Sequence, residues 1–133
     1  MSENDITKDI LDAAIKIHKQ FGPGMLESVY EQLLEVELTR CGHKVERQKA
    51  VSFEYEGVKL DNAFRLDMLV DDSVIVELKS TENMQPVYLK QVKTYLVVTG
   101  LQVGVLLNFG MNQLKDGFAR VVNGYTGPKP SEE

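Results

Sequence analysis

Val103 to Leu107 is an unbroken apolar run, too uniform for a strand with one wet face. Such a run suits a strand covered on both faces, the usual setting of a parallel sheet. A second run, Val74-Ile75-Val76-Glu77-Leu78-Lys79, precedes it and acquires two charges at its end. Between the two, Tyr88, Leu89, Val92, Tyr95, Leu96 and Thr99 recur at helical spacing. Pro86 suits the first turn of that helix and Gly100 ends it. Strand 74–79, helix 86–99 and strand 103–109 therefore form one βαβ unit, a crossover with a strong right-handed preference.

A chain of 133 residues fits one domain. It buries roughly two-thirds of its unfolded surface, enough for a core without staples. Its 43% hydrophobic and 26% charged residues exclude long disorder, collagen and coiled-coil arrays. The expected domain spans 1–122. A flexible tail follows over 123–133, with Gly127, Pro128, Pro130 and two closing glutamates. Cys41 is the single cysteine, so no internal disulfide forms and a reducing cytoplasm is the expected compartment. The acidic, polar start Met1-Ser2-Glu3-Asn4-Asp5 is unlike a signal peptide. No apolar run approaches the ~20 residues of a membrane span. Twenty acidic and 15 basic side chains leave a net charge of −5, which argues against coating DNA by bulk charge. Local contact with nucleic acid remains open, because buried or metal-bound carboxylates inflate the acidic count.

Ile6, Ile10, Ala13, Ala14, Ile17 and Phe21 predict a first helix, stopped by Gly22-Pro23-Gly24. A second helix runs from near Leu26 to near Cys41-Gly42, with Leu26, Tyr30, Leu33, Leu34, Leu38 and Cys41 as its apolar stripe. Glu27 falls inside that stripe, as does Glu37. A carboxylate on an inward face is costly unless paired or metal-bound. Glu27 alternatively reads as a partly exposed glutamate favoured by the helix dipole.

Val45 to Tyr55 alternates as one or two strands, with Val51, Phe53 and Tyr55 on one face. Glu56-Gly57 reads as a turn and Val58 to Leu60 as the start of a return strand. Phe64, Leu66, Met68 and Val70 then alternate with Arg65, Asp67 and Leu69, before the polar turn Asp71-Asp72-Ser73. Period two puts Glu77 and Lys79 on one face of their strand. If the hairpin 64–79 pairs around its turn, Asp67 reaches the same face near Glu77. This juxtaposition reads either as an edge-strand ion pair or as a site. Gln91 shares a helix face with Tyr88 and Tyr95, and by position alone it also reads as a solvent-facing amide. Phe118 to Val122 predicts a final edge strand.

The sequence lacks a phosphate-binding Gly-Lys loop, a dinucleotide fingerprint and a nucleophile elbow. Cys41-Gly42-His43 is too small for a zinc site, Cys41 reads as core, and His18 reads as a surface helix residue. What remains is Asp67, nine residues, then Glu77-Leu78-Lys79. Two carboxylates on adjacent strands hold a hard divalent cation through oxygen. Such a cation acidifies water and neutralises phosphoryl charge. A lysine on the same face orients that water.

The chain also resembles the GxxExxY proteins, a branch of the PD-(D/E)XK nuclease superfamily. The resemblance rests on Gly24-Met25-Leu26-Glu27-Ser28-Val29-Tyr30 preceded by Phe21-Gly22-Pro23, and on Arg65-Leu66-Asp67 and Val76-Glu77-Leu78-Lys79. It continues through Gln91-x-x-x-Tyr95 and Leu107-Asn108-Phe109-Gly110 and covers roughly residues 6–122. It implies an α/β, restriction-endonuclease-like fold: an α-β-β-β-α-β core with a mixed central sheet and an extra N-terminal helix. It implies that Glu27, Asp67 and Glu77 face a Mg2+ site, for which Mn2+ substitutes, with the Leu78 carbonyl as a further ligand. Lys79 takes the position of the catalytic lysine, and Gln91 and Tyr95 support the site. The expected activity is metal-dependent hydrolysis of nucleic-acid phosphodiesters, with a homodimer as the expected assembly. The alternative is a non-catalytic nucleic-acid-binding or assembly module that keeps the nuclease fold.

Overall fold

The structure, a computed structural model, describes residues 1–127. Of the tail expected over 123–133, residues 128–133 lie outside the described residues. The order is α1 (Glu3–Phe21), α2 (Glu27–Arg40), β1 (Val45–Tyr55), β2 (Val58–Val70), β3 (Val74–Lys79), α3 (Pro86–Thr99), β4 (Val103–Asn108), a 3-10 turn (Leu114–Gly117) and β5 (Phe118–Val122). The five strands lie in the order β1-β2-β3-β4-β5. Only β3 and β4 run parallel, joined through α3; the other neighbours are antiparallel. The result is the mixed α/β architecture of a restriction-endonuclease-like fold.

Two apolar layers flank the sheet. On one side Ile10, Ala14 and Ile17 of α1 and Tyr30, Leu34 and Leu38 of α2 pack on Val74, Val76, Leu78, Val105 and Leu107. On the other, Leu96 of α3 packs on Ile75 and Leu69. β3 and β4 are thus covered on both faces, as their continuous apolar runs require. Lys16 Nζ reaches Glu37 at 2.9 Å and ties α1 to α2.

Three sequence expectations are corrected here. Leu26 and Cys41 are exposed and do not extend the α2 stripe. They are the N-cap and C-cap of the helix, where the backbone leaves the 100° rotation that an extrapolated stripe assumes. His18 is buried rather than superficial, with Nε2 2.8 Å from the carbonyl oxygen of Met111. Tyr55, at the tip of the β1–β2 hairpin, is exposed without any change to its place on the strand.

His43 is also buried, with Nδ1 2.5 Å from Asp71 and Nε2 2.7 Å from Asp9. Burial alone would lower its pKa, but the two carboxylates outweigh it and raise it. Both ring nitrogens are engaged, so His43 is a clamp between α1 and the β2–β3 turn and has no free nitrogen to activate Cys41. In that turn Asp71 and Asp72 both take positive φ, a left-handed conformation that aspartate tolerates better than most residues. After β5, the Asn123 amide donates to the Gln102 carbonyl at 2.9 Å, and Tyr125 packs against the core.

Candidate active site

β2 and β3 pair regularly from the turn through Val70/Val74, Leu69/Ile75 and Met68/Val76. One step further, two carboxylates replace the ladder. The Asp67 amide donates to Glu77 Oε1 at 3.2 Å, and the Leu78 amide donates to Asp67 Oδ2 at 2.9 Å. Each strand's side chain therefore satisfies the other strand's backbone donor, where a ladder bond would otherwise close the gap. The alternation expected of Phe64, Leu66, Met68 and Val70 also breaks here. Phe64 and Leu66 pack on the α3 side, while Met68 and Val70 pack on the α1–α2 side. The residue between the two halves is Asp67.

Glu77 is 3% exposed. Burial, then the charge of Asp67, pushes its carboxyl up to about 8, with Lys79 offsetting part of the rise. This has a consequence for stability. Folded Glu77 keeps its proton up to about 8, whereas an unperturbed glutamate releases it near 4.5. Between those values the folded state binds more protons, so stability without metal falls as pH rises. The slope is at most roughly 1.4 kcal/mol per pH unit. Denaturant midpoints measured from about pH 5 upward check this. Glu77→Gln should flatten the lower part of the window, below the range in which His43 titrates.

Lys79 is half-buried on the same face, two residues on. Its ammonium lies 5.0 Å from the centre of the Tyr88 ring, a cation–π distance. The Tyr88 hydroxyl donates to Thr81 Oγ1 at 3.2 Å. Tyr88 thus orients Lys79, a contribution the sequence reading did not assign. The available signal was its place one turn before Gln91 on the same face of α3.

Gln91 donates to the Tyr95 hydroxyl at 2.9 Å, and Tyr95 stacks on Phe64 at 4.6 Å. Burial and then the charge of Glu77 raise the Tyr95 phenol, so its ring stands close to the acidic pair. Gln91 and Tyr95 thereby form a braced wall beside Glu77.

Glu27 opens α2 and is exposed. Partial burial nevertheless raises its pKa; Lys79 opposes the rise, and Asp67 and Glu31 add to it. Glu27 thus lies within electrostatic reach of Lys79 and Asp67. Among the described residues, however, no three His, Cys, Asp or Glu side chains are grouped so as to hold a metal ion. Asp67 and Glu77 are brought together, and Glu27 stands at the rim. Glu31, one turn further along α2, is buried and takes Arg47 Nε at 2.9 Å and Gln48 Nε2 at 3.1 Å. The sequence reading did not single out this inward carboxylate.

A cleft of about 800 Å3 continues from Glu27 past Ser80, Thr81 and Asn83 to Gly110 and Met111. Its far wall is held by Asn108, which is fully buried. The Asn108 Oδ1 accepts the amides of Thr81 and Gly110, each at 3.0 Å. A Cβ at Gly110 would come within 2.3 Å of the Thr81 backbone, so that close approach requires glycine.

The site thus sets an Asp–Glu pair at a strand opening, with a lysine two residues on, in an α/β sandwich. Residues 4–121 match the family model of the PD-(D/E)XK nuclease superfamily. The chain belongs to that superfamily. No curated protein and no solved structure matches it. No helix among the described residues is long and apolar enough to cross a membrane.

Proposed function

We propose that this protein is a metal-dependent nuclease that hydrolyses phosphodiester bonds of nucleic acid. The observation that carries the reading is the Asp67–Glu77 pair, bonded across the opening between β2 and β3, with Lys79 on the same face. The donor set fits a hard divalent cation such as Mg2+ or Mn2+. It consists of oxygen alone, and its buried member, Glu77, lies against a second carboxylate that raises its pKa. Asp67, Glu77 and the Leu78 carbonyl would hold the ion, with Glu27 completing the set from the rim. When bound, the ion supplies an acidified water and charge neutralisation at phosphorus.

The chain's own residues supply the remainder. Lys79, held over Tyr88, orients the attacking water and offsets charge on the phosphoryl oxygens. Tyr88 limits the swing of that ammonium. Gln91 and Tyr95 keep the wall beside Glu77 closed. A homodimer in a reducing cytoplasm, acting on two strands, is the setting this reading expects. The GxxExxY branch is the part of the superfamily whose pattern the residues match.

The test is a panel of single- and double-stranded DNA and RNA incubated with Mg2+, Mn2+ or chelator. Cleavage is expected with either ion and none with chelator. Lys44, Arg47, Lys49, Lys90 and Lys93 are dispersed over β1, α3 and the segment before β1, so binding without metal should be weak and salt-sensitive. Tight binding without metal that survives Asp67→Ala and Glu77→Ala, with no cleavage, would identify a non-catalytic binding module instead.

A further inference from the structure

Tyr30 is fully buried, yet its hydroxyl is not idle. It donates to the Gly22 carbonyl at 2.5 Å and accepts the Met25 amide at 3.2 Å. One phenol thus closes both ends of the turn from Gly22 to Met25. Gly22 and Gly24 both take positive φ, and α2 begins without a side-chain cap. Glu27 is the first residue of the helix that follows.

The other side of the turn is tied to β3. The Met25 carbonyl accepts the Ser80 hydroxyl at 2.7 Å, and Ser80 directly follows Lys79. The Tyr30 ring stacks on Phe109 at 4.3 Å and 9°. The Phe109 amide in turn donates to the Lys79 carbonyl at 2.8 Å. Two separate routes therefore lead from the turn before Glu27 to the end of the strand that carries Glu77 and Lys79. Both hold backbone atoms of Met25, two residues before Glu27.

We infer that Tyr30 and Ser80 are positioning residues that set Glu27 against the Asp67–Glu77 pair, so that Glu27 contributes to ion binding only while both hydroxyls hold the turn. This inference rests on the nuclease reading of the site. An aromatic ring alone would fill the core equally well. What the hydroxyl adds is a fixed path for the four residues between Gly22 and Glu27. Loss of a group that orients a ligand typically weakens metal affinity about 10–100-fold.

The experiment is calorimetric titration of the full chain with Mn2+, comparing wild type, Tyr30→Phe, Ser80→Ala, Glu27→Gln and the double variant Tyr30→Phe/Glu27→Gln. Tyr30→Phe keeps the stack on Phe109, and thermal melts without metal control for folding. Tyr30→Phe should weaken Mn2+ binding about 10-fold. The double variant should bind no more weakly than Glu27→Gln alone, since the hydroxyl acts through that carboxylate. Ser80→Ala, which removes only a half-buried hydroxyl, should shift affinity in the same direction. A purely structural role would lower the melting temperature and leave affinity unchanged, or make the two losses multiply. Either result overturns the inference while the nuclease reading stands. A wild-type protein that takes up no Mn2+ overturns the nuclease reading itself, and this inference with it.

Discussion

Lys79→Ala is expected to slow metal-dependent cleavage by about 10²–10⁴-fold, the range for losing a group that handles a proton or orients a nucleophile. The same variant should retain Mn2+ affinity within a few-fold. The two outcomes separate because Lys79 is not an oxygen donor. It shares the face of Glu77 and is held over Tyr88 at 5.0 Å from the ring centre. Its charge partly offsets the raised pKa of Glu77 and Glu27. Removing it lets protons compete somewhat better for those carboxylates, but it also removes a positive charge that opposes a cation. Initial rates on the substrate panel and a Mn2+ titration on the same preparations decide the matter. Equal cleavage by wild type and Lys79→Ala would falsify the assignment of the site.

The second large effect is on stability. Asp67 and Glu77 form a close acidic pair whose buried member is forced toward protonation. On the proposed nuclease reading, a divalent ion would bind this pair in the folded state and would have no equivalent site in the unfolded chain. At 100 times its dissociation constant it adds about 2.7 kcal/mol. For a domain of this size that is a rise of about 10 °C in Tm. Asp67→Asn is the informative variant. An asparagine carbonyl still accepts the Leu78 amide that Asp67 now takes at 2.9 Å. The structural bond therefore survives while the repulsion is relieved. Above about pH 8, where Glu77 is ionised as well, the metal-free Tm should rise by a few degrees, and the Mn2+ shift should disappear. Equal shifts in both proteins would show that the ion binds elsewhere.

Much of the architecture is legible in short stretches of sequence. The unbroken apolar runs of β3 and β4, and the helix between them bounded by Pro86 and Gly100, require no distant partner to be read. The same holds for the facing of Glu77 and Lys79, which follows from the period of a single strand. The errors lie where local periodicity ends. Leu26 and Cys41 occupy cap positions, one residue beyond each end of α2, where the helical rotation no longer holds. His18 and Glu31 are polar residues buried because partners from other elements satisfy them, Met111 in one case and Arg47 with Gln48 in the other.

Which strands and helices form, and which face of β3 carries charge, follow from neighbours within a few residues. How the charges meet depends on contacts between elements. Asp67 faces Leu78 because β2 leaves its ladder at Met68/Val76 and its alternation reverses there, a consequence of pairing with a strand ten residues away. Lys79 is restrained by Tyr88 because α3 packs back over the β3 terminus. Glu27 stands at the rim because Tyr30 and Ser80 fix the turn that precedes it. Each contact joins residues from different elements, and register and packing set its distance. No periodicity within one segment encodes that.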